Sequence, residues 1–120
     1  MVDKVNLQEQ FARFDDYWSP KIVASVNDYD IKLVKVRGEF VWHQHDATDE
    51  VFLVTVGRLR IQLQDRDDIV LNAGELFVVP RGVRHRPVAD QETHLVLLEP
   101  HATVNTGDAG SAGTVGERLD

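Results

Sequence analysis

Four residues in this chain are of the types that hold a metal ion together: His43, His45, Glu50 and His85. Three imidazole nitrogens and one carboxylate oxygen suit a borderline first-row divalent ion, so Mn, Fe, Co, Ni and Zn are all expected to fit. Four protein ligands on an octahedral ion leave two positions for water or substrate, which is the pattern of a catalytic site rather than a closed structural one. The competing reading is plain: a single histidine in a strand is more often a surface or satisfied core residue, and two at i, i+2 can arise by chance. There are no cysteines, which excludes a thiolate zinc site, a disulfide framework and a cysteine nucleophile.

These residues need elements to position them. If residues 40–45 form a strand, His43 and His45 share one face, because alternate strand residues point the same way. Phe40 and Trp42 then fall on the opposite face, as an apolar patch for the N-terminal segment or a second subunit to cover. Glu50 heads an alternating run with Phe52, Val54 and Val56, which places a carboxylate on an otherwise apolar face. A lone buried carboxylate there is costly, and an adjacent cation removes the cost. Further β-rich runs are expected at residues 21–26, 30–36, 51–56, 59–63, 69–71, 76–79 and 93–99, separated by turn chemistry such as Gly57-Arg58 and Pro80-Arg81-Gly82. Many short strands at this spacing predict an all-β sandwich or barrel.

Leu7, Phe11 and Phe14 recur at helical spacing, with Asn6 and Glu9 placed as a capping box. They predict a short helix over residues 6–14. Residues 102–120 are poor in large apolar groups and predict a flexible tail, ordered only by contact with a neighbouring subunit.

Two spaced strings sharpen this reading. The first runs Gly38, four residues, His43, one, His45, four, Glu50, six, Gly57. The second runs Gly74, five residues, Pro80, one, Gly82, two, His85. Together they resemble the paired motifs of the cupin superfamily, over about residues 31–99. The first spacer is one residue shorter than the family pattern, and Ala89 stands where the second motif usually ends in Asn. The resemblance implies a cupin double-stranded β-helix, a jelly-roll barrel with one divalent transition metal ion on His43, His45, Glu50 and His85. The nearest likeness is to small single-domain bacterial cupins labelled mannose-6-phosphate isomerase-like, whose ends the run Thr103 to Asp108 also resembles. The expected division is 1–30 as helix and strand packing on the barrel, 31–100 as the barrel and 101–120 as the tail. Cupins of this size commonly dimerise through sheet faces, so a homodimer is expected.

The remaining features narrow the function. A formal net charge of −7 disfavours phosphate backbones and anionic membrane surfaces, so no nucleic acid and no membrane partner is expected. No apolar run approaches the roughly 20 residues of a membrane span, and the first ten residues lack the apolar core of a secretion signal; a cytoplasmic location is expected. Arg81, Arg84 and Arg86 flank His85 and invite an anion clamp, but solvated charges or subunit salt bridges are the commoner outcome. His94 and His101 lie outside both strings and are not expected to be ligands, while Phe52, Val54 and Phe77 are expected to wall the pocket. No further ionisable residue in the motifs stands out as a general base. Three functions follow in order: a metal-dependent isomerase, epimerase or lyase on a small sugar- or keto-acid-like molecule; a metal-dependent dioxygenase; and a non-catalytic small-molecule-binding module.

Overall fold

The computed structural model describes residues 3–109 and 113–119. One short helix, α1 (Leu7–Phe11), precedes eight strands: β1 (Lys21–Val26), β2 (Tyr29–Glu39), β3 (Glu50–Val56), β4 (Arg58–Leu63), β5 (Ile69–Asn72), β6 (Leu76–Val79), β7 (His85–Pro100) and β8 (Glu117–Arg118). The fold is all-β, as expected, and wraps around one long strand. β7 pairs antiparallel with β2 along most of its length. On its other edge its first part pairs with β4, Leu63 opposite His85, and its later part pairs with β3, Val51 opposite Leu98. β3 and β4 therefore diverge from a shared partner, and the sheet curls into a barrel.

Period-two patterning fills the interior. Phe52 and Val54 of β3, Leu59, Ile61 and Leu63 of β4, and Leu95 and Leu97 of β7 are buried, while their neighbours are partly exposed. Gly57 makes the tight β3–β4 turn with φ +90°, and a Cβ there would lie 2.6 Å from the Thr93 hydroxyl and 2.9 Å from the Glu92 carbonyl. Gly57→Ala is expected to destabilise the protein by about 2 kcal/mol or more, read from urea unfolding.

The helix is shorter than its periodicity suggested. Asn6 caps it, its side-chain oxygen accepting from the Glu9 amide at 2.9 Å, but it ends at Ala12. Phe14 stays buried beside Phe11 and Leu33 without being helical; its carbonyl accepts from the buried Lys35 ammonium at 2.6 Å.

Two expectations are corrected. Residues 40–45 are not a strand: only His43 bridges His85 there, as the chain leaves β2 past a register shift and Gly38 at φ +84°. Parity consequently fails for Phe40, which turns inward, stacking on Trp18 at 4.6 Å and meeting His43 edge-on at 5.5 Å. Trp42 lies under the Arg86 guanidinium at 5.4 Å. The expected Phe40–Trp42 patch does not form.

The tail is held by its own chain. β8 pairs parallel with β1, and Lys21 bonds both Asp16 and Glu117. Lys32 donates to the Thr103 carbonyl at 3.2 Å, and Thr106 is buried. Composition misled because backbone hydrogen bonds and close glycine contacts do most of the docking, with Leu119 alone packing on the Phe11–Phe14–Leu33 cluster among the described tail residues. Residues 110–112 and 120, also expected to be flexible, lie outside the described residues.

Candidate metal centre

Two segments meet inside the barrel. His85 opens β7, and its backbone exchanges both hydrogen bonds with His43 (3.0 and 2.8 Å). Behind the two histidines, the Pro80-Arg81-Gly82 turn is fixed to the next ligand, the Gly82 amide donating to the His45 carbonyl at 2.8 Å. Glu50 opens β3 on its inward face. One ligand atom from each of His43, His45, Glu50 and His85 lies within 4.8 Å of the others, and all four residues are buried.

The side-chain bonds fix which nitrogens face inward. His43 Nδ1 lies 2.9 Å from the Val41 carbonyl, and His85 Nδ1 lies 2.9 Å from the Val83 carbonyl. A carbonyl only accepts, so each Nδ1 carries the proton and each Nε2 presents a lone pair. Such a backbone contact is how metal-ligating histidines are commonly oriented. His45 Nε2 lies 3.3 Å from Glu50 Oε2, and His85 Nε2 lies 3.6 Å from Glu50 Oε1. Even so, His45 Nε2, His85 Nε2 and Glu50 Oε1 are buried without a hydrogen-bond partner. Each such orphan costs about 1–3 kcal/mol. Three orphans converging on one point, on donor types that suit a borderline divalent ion, fit a cation there.

The electrostatics agree. Burial, with His85 alongside, pulls the His43 pKa from 6.5 to about 4, so this imidazole is neutral at pH 7. Burial also pulls His45 down, but the Glu50 carboxylate outweighs it and the net shift is upward. Burial pushes Glu50 up, yet His45 and His85 hold it below the usual carboxylate range. In metal-free protein the unfolded chain binds more protons at His43 than the folded one between pH 4 and 6.5. The stability this depressed pKa contributes is present above pH 6.5 and lost as pH falls toward 4, by about 3 kcal/mol. The raised His45 acts in the opposite sense, its contribution being lost as pH rises through its folded pKa. Urea melts in chelator from pH 4 to 7 are expected to show the acid-side loss, and His43→Gln to flatten it.

Sequence reasoning missed a second buried pair. Lys32 of β2 and Glu99 of β7 are both fully buried, with Nζ 2.8 Å from Oε1. Glu99 adjoins Glu50; burial and that neighbouring charge push its carboxyl up to about 9, against the pull of Lys32. The only signal was parity: Lys32 shares it with Val34 and Val36, and Glu99 with Leu95 and Leu97.

Other candidates resolve elsewhere. Arg81 pairs with Asp49, Arg84 with Asp108 at 3.9 Å, and Arg86 with Glu39 and Gln62, so these arginines are held by partners within the chain. His94 stacks on Phe11 at 4.5 Å, and His101 pairs with Asp30. Of the three expected wall residues, Phe52 lines the space beside the ligands; Val54 belongs to the core, and Phe77 packs against it.

Two unlike spaces border the cluster. One is a cavity of about 30 Å³ touching His43 and Glu50, walled by Trp18, Phe40, Phe52 and Leu97. The other, over His45, is an open mouth of about 560 Å³ bordered by Gln44, Thr48, His101, Thr103 and Asp108.

A curled β-barrel carrying three imidazoles and one carboxylate in its interior defines a class of metal-binding-type jelly rolls. The family model described as Cupin domain matches residues 31–101, and the chain belongs to that family. A cupin-2 domain containing protein from Shewanella frigidimarina NCIMB 400 is 49% identical, with a TM-score of 0.78 over 80% of this chain and 93% of that one. Uncharacterized protein YdbB of Bacillus subtilis (strain 168) is 38% identical over 53% of this chain and 57% of its own length. A 3-hydroxyanthranilate 3,4-dioxygenase 2 of Aspergillus fumigatus is 29% identical over 68% of this chain and 45% of its own length. The chain thus spans about half the length of the curated relatives it matches.

Proposed function

We propose that this cupin binds one divalent transition metal ion on His43, His45, Glu50 and His85 and acts as a metal-dependent dioxygenase on a small, oxygen-rich molecule. The observation that carries the reading is the pair of unlike spaces that border the four residues. The cavity of about 30 Å³ exceeds the roughly 10–15 Å³ one water needs, so it has room for dioxygen but not for a ring. Its apolar walls favour a gas molecule over a sugar, whose hydroxyls would lose their hydrogen bonds there. The mouth of about 560 Å³ is large enough for a substrate, and its polar rim offers partners to hydroxyl and carbonyl groups. When bound, the ion supplies adjacent open positions and Lewis acidity. Trp18, Phe40 and Phe52 keep water from the cavity side. The dioxygenase relative from Aspergillus supports the same reading. A sugar phosphate is disfavoured, because Asp46 and Asp108 line the mouth and Arg81 and Arg84 are already paired with carboxylates.

The test is oxygen uptake by protein loaded anaerobically with ferrous ion, offered catechols, hydroquinones, aminophenols and α-hydroxyketones. Oxygen consumed in step with loss of one substrate class supports the proposal. Isomerisation of a hydroxyketone without oxygen uptake would replace it with the isomerase reading. Tight binding without turnover would leave a binding module.

We also propose a homodimer, supported by the outer face of β3 and β6, where Leu76 and Val78 are 59% and 42% exposed opposite Leu53 and Val51. Light scattering is expected to give twice the chain mass, and Leu76→Lys the monomer. The absence of cysteine suits a reducing compartment, and a cytoplasmic location is part of the same proposal.

A further inference from the structure

We propose that Asp108, seated by Gly107 and Asn105, is a positioning residue for the ligand histidines, so that the C-terminal segment belongs to the metal centre. The inference rests on the metal-binding reading above. Gln44 stands between His43 and His45, and one residue engages both of its backbone polar groups. The Gln44 amide donates to Asp108 Oδ1 at 2.9 Å, and the Asp108 amide donates to the Gln44 carbonyl at 3.1 Å. The two peptide planes that set the paths of His43 and His45 are therefore fixed from outside the barrel motifs. The other Asp108 oxygen lies 3.9 Å from Arg84, the residue before His85, so the carboxylate spans both histidine-bearing segments.

Gly107 makes the close approach possible. Its φ is +53°, and a Cβ on it would lie 2.4 Å from the Gln44 carbonyl oxygen and 3.1 Å from His43 Cδ2. Only glycine lets the tail backbone rest directly on the ligand segment. The clamp is anchored behind: the Asn105 amide group donates to the Trp18 carbonyl at 3.1 Å, and its oxygen accepts from the Thr114 amide at 2.8 Å. Trp18 is in turn stacked on Phe40, beside His43. A docked tail with only a structural role would not need both Asp108 bonds to fall on the residue between His43 and His45. Contacts that orient ligands in this way typically change metal affinity by about 10- to 100-fold when removed.

The test uses the full chain, with Co²⁺ alone as probe. Asp108→Ala is expected to weaken Co²⁺ binding at least about tenfold and to shift the visible Co²⁺ absorption band, which reports ligand geometry. Asp108→Asn keeps an oxygen for the Gln44 amide and is expected to stay within about threefold of the unaltered protein. Gly107→Ala is expected to behave like Asp108→Ala. Amide exchange of the Gln44 peptide, measured without any ion, is expected to quicken in Asp108→Ala while β4 and β7 stay protected. Unaltered affinity and band in both Asp108→Ala and Gly107→Ala would overturn the inference while leaving the metal reading standing. If the unaltered protein takes up no Co²⁺, the metal reading fails, and unchanged exchange at Gln44 in Asp108→Ala would then overturn the clamp as well.

Discussion

Glu50→Gln is expected to abolish stoichiometric metal binding while leaving the barrel folded. The change keeps the shape of the side chain and removes its charge. In the native site that charge sits between His45 Nε2 at 3.3 Å and His85 Nε2 at 3.6 Å, sealed from water. An amide offers a neutral oxygen in its place, and a hard–borderline divalent ion loses its only anionic ligand. The expected loss is at least about 100-fold in affinity, at or beyond the upper end of what outlying contacts contribute. Metal analysis by plasma mass spectrometry, with His45→Ala alongside, checks it. About one equivalent per chain in the unaltered protein and little in either variant is the expected pattern. Full occupancy in Glu50→Gln would move the ion elsewhere.

The second large effect lies behind the ligands. Lys32→Met is expected to cost up to about 3–5 kcal/mol above pH 9, because the Glu99 carboxyl, once ionised, is left buried beside Glu50 with no counter-charge. The sign with pH follows from the raised Glu99 carboxyl. A group whose folded pKa is raised to about 9 favours folding below its unfolded value and loses that contribution as pH rises through 9. Without Lys32 the carboxyl is raised further, so the variant keeps losing stability above pH 9 where the native protein no longer does, and its deficit is smaller at pH 7 and grows toward alkali. Removing both partners, Lys32→Met with Glu99→Leu, is expected to recover most of the loss, since the buried charge goes with its pair. Urea unfolding across this range measures both. A double variant as unstable as the single would assign the cost to packing instead of charge.

These two experiments bracket what could be read in the chain beforehand. The barrel and its family were legible because glycines, proline, histidines and glutamate recur at spacings that turn geometry enforces; Gly57, pressed against Thr93, is one example. The grouping of His43, His45, Glu50 and His85 was legible for the same reason. Phe40 was not, because a parity argument needs a strand, and residues 40–45 leave the ladder after Gly38. Lys32 and Glu99 obey parity but lie outside the two spaced strings, and nothing in their spacing sets them apart from solvated charges. The tail was unreadable from composition for a different reason. Its attachment to Gln44 uses backbone groups and the absence of a side chain at Gly107, which hydrophobicity does not register.

The long strand β7 has a consequence for how this protein is made and lost. It carries His85 at its first residue and Glu99 near its last, and joins β2, β3 and β4. The pair Lys32–Glu99 closes a loop of 67 residues. No ligand set exists until such distant pairings have formed, and closure of this kind makes folding slow, on the millisecond-to-second scale typical of β topologies. A bound ion can reward the chain only after that barrier is crossed. It therefore lowers the rate of unfolding and leaves the rate of folding almost unchanged. In a cell, metal supply would set how long each molecule persists, and the speed of its maturation would be fixed by topology alone.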